Sequence, residues 1–166
     1  MDQTDFFRDE AHREPKRQSS HEWKVISLRE CPVPESLTQI SAPDSAVGYW
    51  HRQITSSPQF QNDCECVVVL ILNTRLRVKG HHFVSVGSLN EAMAHPREVF
   101  RIAIMEAAFG IVLMHNHPSG EPDPSQADVS LTRRIREAGQ ILRIELCDHV
   151  IIGQNRHFSF KESGLL

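Results

Sequence analysis

Ile111-Val112-Leu113-Met114-His115-Asn116-His117-Pro118-Ser119-Gly120-Glu121-Pro122-Asp123-Pro124-Ser125-Gln126-Ala127-Asp128 reads as three pieces joined without slack. The apolar run from Ile111 to Met114 predicts a short buried strand. Three prolines and Gly120, between positions 118 and 124, require a loop. Ser125 then starts and caps a helix. At the end of the strand, period-two alternation turns His115 and His117 to the same side, and Asp128 lies on the first helical turn, able to aim at the same point. Two imidazoles and a carboxylate are natural Zn²⁺ ligands. Three protein ligands, with water in a fourth position, describe a catalytic zinc, one per chain, rather than a structural one. Ser125-x-x-Asp128 is also close to a capping box, which explains both residues without any metal. Glu121 and Asp123 are read as loop solvation.

Outward from this stretch the pattern alternates. Glu65-Cys66-Val67-Val68-Val69-Leu70-Ile71-Leu72 is nearly continuous apolar, as expected of a strand covered on both faces. Asn73-Thr74-Arg75 is a turn into a second strand through Val78, Phe83, Val84 and Val86, and Gly87 opens a loop that reaches Pro96. From Pro96 a helix is predicted, with Phe100, Ala103, Ile104 and Ala107 on one face and Gly110 ending it. The helix from Ser125 is assigned an inner face of Leu131, Ile135, Ala138 and Ile141. Strands follow over Ile144 to Ile152 and His157 to Phe160, around the Gly153-Gln154-Asn155-Arg156 turn. Upstream, Asp44 is expected to cap a short helix carrying Val47, Trp50 and Ile54 and ending near Pro58. The order predicts an α/β domain over residues 41–166, a mixed sheet flanked by helices. Residues 1–40 are read as a flexible charged arm: residues 1–24 hold six acids and five bases without periodicity.

Size and charge bound the rest. The chain of 166 residues is long enough for one domain with a real core. A formal charge of -3 offers no electrostatic case for nucleic acid, and the run of Arg133, Arg134, Arg136 and Arg143 reads as a solvated helix face. Four cysteines lack the density or spacing of a disulfide scaffold or zinc ribbon, and Cys64 and Cys66 sit at strand spacing as buried thiols. No apolar run reaches membrane-spanning length and no signal-peptide core is evident, so a reduced cytoplasmic protein is expected.

Other zinc architectures are excluded cheaply. There is no H-E-x-x-H, no P-C-x-x-C, and too little chain for an H-x-H barrel of about 250 residues. A zinc hydrolase also needs a base outside its ligand set. Glu65 stands at the mouth of an apolar strand, where a carboxylate is costly unless partnered or at the rim. As a sequence feature it fits two roles equally, the general base or a solvated strand terminus. Glu98 is stabilised by its helix dipole and needs no catalytic role.

H-x-H, seven residues, Ser, two residues and Asp is the spacing of His115, His117, Ser125 and Asp128. In this the chain resembles the JAB/JAMM zinc metalloproteases. His95-Pro96-Arg97-Glu98-Val99-Phe100, His115-Asn116-His117-Pro118-Ser119-Gly120, Asp148-His149-Val150-Ile151-Ile152-Gly153 and Glu162-Ser163-Gly164-Leu165-Leu166 resemble the RadC-type branch, from about Glu65 to the C-terminus. The resemblance implies a three-layer α/β/α JAB/MPN fold, similar to that of cytidine deaminases. It implies zinc on His115, His117 and Asp128, and a Glu base on the preceding strand, the position of Glu65. Ser125 would donate to the developing oxyanion. The resemblance also implies an amide hydrolase acting on a protein or peptide substrate. The Gly-rich helix-hairpin-helix region usual in RadC-type proteins does not show in the first 60 residues, which weakens any inherited DNA binding. Against hydrolysis stands a non-catalytic interaction module associated with DNA repair or replication.

Overall fold

The computed structural model describes residues 38–87 and 94–166. The charged arm of residues 1–24, the stretch through Cys31, Pro32 and Pro34, and part of the loop after Gly87 lie outside the described residues. Helix α1 (Pro43–Tyr49) continues into a wider π-helical turn, Trp50–Ile54, closed by the Thr55 N–H on the Trp50 carbonyl. Strands β1 (Cys66–Leu72) and β2 (Val78–Val86) precede helix α2 (Pro96–Met105). Strand β3 (Gly110–Asn116), helix α3 (Gln126–Leu142) and strands β4 (Glu145–Ile152) and β5 (His157–Ser159) complete the fold.

The sheet runs β2-β1-β3-β4-β5, and only the β3/β4 pair is parallel, joined by the α3 crossover. Alternation divides the core in two. Cys66, Val68, Leu70, Leu72, Val112 and Met114 pack with Ala46, Tyr49, Trp50 and Ile54 of α1 and its extension. Val67, Val69, Ile71, Ile111 and Leu113 pack on the opposite face with Phe100 and Ala103 of α2 and Ile135 of α3. Each central strand is apolar at every core position because it has helices on both sides. The architecture is three-layer α/β/α, a mixed sheet flanked by helices as the order of elements predicts and with the layering that the resemblance implies. Ile40 is buried too, its N–H on the Leu76 carbonyl. Among the described residues no helix is long and apolar enough to cross a membrane.

Several local expectations are corrected. Asp44 does not cap α1: Ala42 holds that position and Pro43, lacking an N–H to satisfy, occupies the first turn. Helix α2 stops at Met105, well before Gly110, and Ala107 takes a left-handed φ of 46° in the connection. Gly110 serves β3 instead, because a Cβ there would lie 2.7 Å from the Cys147 sulfur. Ile104 and Ile141 are exposed, at 55% and 82%, while the faces turned inward are Val99, Phe100 and Ala103 in α2 and Asp128, Thr132, Ile135 and Gly139 in α3. Cys66 is buried, but Cys64 lies ahead of β1 and is only half-buried.

Candidate metal centre

The centre forms where β1, β3 and the start of α3 meet. Val67 pairs with His115 across the antiparallel β1/β3 ladder, so two residues further along Glu65 comes opposite His117, on the α3 face of the sheet. Asp128 enters from above on the first turn of α3, which Ser125 caps in a full capping box. One ligand atom from each of Glu65, His115, His117 and Asp128 lies within 4.8 Å of all the others. The structure therefore brings together the five residues singled out from the sequence, Ser125 included.

The distances suit a small cation. His115 Nε2 lies 3.1 Å from His117 Nε2 and 3.2 Å from Asp128 Oδ1, and His117 Nε2 lies 3.6 Å from Asp128 Oδ2. Metal–ligand bonds of about 2.0–2.1 Å in a tetrahedron set neighbouring donors about 3.3 Å apart. Glu65 Oε1 stands 3.7 Å from His115 Nε2, at the edge of this group. Side-chain exposure rises from 1% at His115 through 9% at Asp128 and 18% at His117 to 32% at Glu65, so the open side of the centre is the Glu65 side.

The remaining atoms of the ligands are spoken for. His117 Nδ1 donates to the Glu121 carbonyl at 2.8 Å, which leaves its Nε2 facing inward. Asp128 Oδ2 accepts from the Ser125 N–H at 2.8 Å and the Ser125 hydroxyl at 2.6 Å, while the Asp128 N–H returns to Ser125 Oγ at 3.2 Å. Such outer bonds orient metal ligands. Burial by itself pushes the Asp128 carboxyl up, but hydrogen bonds with His115, His117 and Ser125 outweigh it and hold the group well below the usual carboxylate range. The hydrogen bond to Asp128 raises His117, against its partial burial. The low Asp128 value keeps a carboxylate ready for a cation, whereas at His117 a proton competes with the metal for the ring; the donor set fits a small cation such as zinc in chemistry and spacing.

Three contributors were given no role from the sequence. Asn116, buried between the two ligands, accepts from the Cys66 N–H at 2.9 Å through Oδ1 and donates to the Cys64 carbonyl at 3.0 Å through Nδ2. It thereby grips the backbone on both sides of Glu65. His149 of β4 lies fully buried beside His115, and burial drives its pKa well below the ordinary imidazole value. Thr132 of α3 touches His149 in turn. A histidine directly before the apolar run Val150-Ile151-Ile152 and a threonine one turn after Asp128 were the available signals.

The loop that carries Glu121 is braced from below. The His117 N–H bonds the Ile152 carbonyl and the Gln154 N–H bonds the Gly120 carbonyl. Arg156 pairs with Glu121 and lies 3.8 Å from Asp123; both carboxylates are exposed and stand outside the metal group, as loop residues facing solvent.

Residues 40–165 match the family described as RadC-like JAB domain. A UPF0758 protein of Pelobacter propionicus is 42% identical over 134 residues, covering 80% of this chain and 56% of the relative. One from Desulfitobacterium hafniense is 52% identical over 104 residues, 63% of this chain and 46% of the relative. Another, from Moorella thermoacetica, reaches 58% over 95 residues, 57% of this chain and 42% of the relative. The chain thus spans about half the length of the curated relatives it matches. By its sheet, its donor set and this match over most of its length, the chain belongs to the RadC-like JAB domain family.

Proposed function

We propose that this domain is a zinc-dependent hydrolase of peptide or isopeptide bonds. The observation that carries the proposal is the convergence of two imidazole nitrogens and a carboxylate, with a second carboxylate, Glu65, alongside on the open side. His115, His117 and Asp128 would hold the metal. Bound there, zinc supplies a Lewis acid for the scissile carbonyl and a lowered pKa for the attacking water. Glu65 takes the proton from that water and delivers it to the leaving amine, a task that calls for a partly exposed base next to the ligands. The Ser125 N–H keeps Asp128 Oδ2 in place, so the hydroxyl of Ser125 is free to turn from Asp128 to the developing oxyanion. Extended protein or peptide chains are the proposed substrates. A cytoplasmic setting fits the unpaired Cys64, Cys66 and Cys147.

The test pairs metal analysis with turnover of a peptide and isopeptide library. Wild-type protein should hold one zinc, His115→Ala should lose it, and Glu65→Gln should keep zinc and fold while turnover falls by about 10²–10⁴-fold. Absence of stoichiometric zinc in the wild type, or full activity in Glu65→Gln, would overturn the proposal. The first of these outcomes would favour an interaction module instead.

A further inference from the structure

His115 Nδ1 lies 3.0 Å from His149 Nε2, and His149 Nδ1 lies 2.6 Å from Thr132 Oγ1. Thr132 Oγ1 also lies 2.7 Å from the backbone carbonyl of Asp128. The direction of this chain follows from one proton. A carbonyl can only accept, so the single hydroxyl proton of Thr132 goes to Asp128 O; aimed at His149, it would leave two lone pairs facing each other at 2.7 Å. Thr132 must then accept from His149, which places the His149 proton on Nδ1. A charge on a ring with no exposed surface, and with no carboxylate bonded to it, is costly, so His149 carries that proton alone. Its Nε2 is therefore an acceptor, and His115 must donate from Nδ1. What remains on His115 is Nε2, turned towards His117 and Asp128, where it can take either a metal ion or a proton shared with the Asp128 carboxylate.

We propose that Thr132 and His149 are positioning residues that hold a proton on His115 Nδ1, so that Nε2 is the nitrogen offered to the metal; this rests on the zinc reading above. The relay starts and ends on the same residue. The Asp128 backbone anchors Thr132 while the Asp128 side chain is a ligand, so one turn of α3 sets both the carboxylate and the far imidazole. A bulge in β4 makes this reach geometrically available. Ile111 pairs with Leu146 but Val112 pairs with Asp148, and the extra residue, Cys147, reverses the alternation so that His149 faces α3.

Thr132→Val, which keeps the volume but lacks the hydroxyl, tests the relay, with Thr132→Ser as the rescue. Two quantities are read: zinc affinity by chelator competition, and the His115 tautomer from imidazole nitrogen NMR shifts in zinc-free protein with the rings neutral. Wild type and Thr132→Ser should show His115 protonated on Nδ1. Thr132→Val should move that proton to Nε2 and weaken zinc by about 10–100-fold. Should Thr132→Val fail to fold, His149→Phe, which retains the stacking on Phe160, is expected to show the same loss of affinity. An unchanged tautomer together with unchanged affinity in the folded variant overturns the relay. If wild type binds no zinc but the tautomer still switches, the relay stands and the zinc proposal falls.

Discussion

Asn116 holds Glu65 without touching its carboxylate, through one hydrogen bond to the residue before it and one to the residue after it. The middle residue of His-x-His therefore ties the proposed base to the strand that carries both ligands. Asn116→Ala is expected to leave zinc content intact and to lower turnover by up to about 100-fold, the scale of a misplacement near 1 Å. Equal loss of zinc and turnover would show instead that Asn116 supports the ligands.

Gly153 tests the brace beneath the metal loop. A Cβ there would stand 2.5 Å from the Gly120 carbonyl oxygen and 2.8 Å from Pro122, so Gly153→Ala should displace the loop and break the Glu121–His117 contact. Zinc affinity and stability should fall together, the latter by about 1–3 kcal/mol in thermal or denaturant unfolding. Gly139→Ala meets the Ile144 carbonyl oxygen at 2.5 Å, remote from the centre, and should cost stability with zinc affinity unchanged.

Ser125 carries two loads that different substitutions separate. Ser125→Gly keeps an acceptable cap residue, losing only a few tenths of a kcal/mol, whereas Ser125→Ala costs about 1 kcal/mol. Both remove the hydroxyl that reaches Asp128. Turnover falling by about 10²–10³-fold in both, at matched zinc occupancy, is the result expected of an oxyanion donor.

Much of this was legible beforehand because strands and ligands follow period rules. His115, His117 and Asp128 are fixed by spacing, and the covered strands by unbroken apolar runs such as Val67 to Leu72. His149 was not, since a period-two count from Leu146 turns position 149 away from α3, and only the bulge at Cys147 turns it back. Asn116 was hidden because its partners are backbone groups of Cys64 and Cys66, 50 or more residues away. Gly110 was misassigned as a helix stop because a glycine needed for close approach looks the same in sequence as one needed for a left-handed cap.

Alkaline pH should destabilise the domain. Burial pushes the Tyr49 hydroxyl up from 10.0 to about 12 and the Cys147 thiol from 9.0 to about 11. Both folded values lie above the unfolded ones, so their contribution is whole below about pH 9 and is lost as pH rises towards 12. Tyr49→Phe and Cys147→Ala should flatten the decline of melting temperature over that window.

Removing metal should lower the melting temperature reversibly. Zinc at 100 times its Kd contributes about 2.7 kcal/mol to the folded state. A chelator should abolish that increment in wild type and have no effect in His117→Ala.

The hydrogen-bonded path from β3 through His149 of β4 to Thr132 of α3, with Glu65 next to β1, draws on four separate elements. No local fragment can rehearse such a centre on its own, so it must appear late in folding, once the middle of the sheet has closed. Metal occupancy should then act on the exchange of buried amides as one unit. Chelation should speed deuterium uptake in β1, β3, β4 and the first turns of α3 together, while the edge strand β2 exchanges at its own rate.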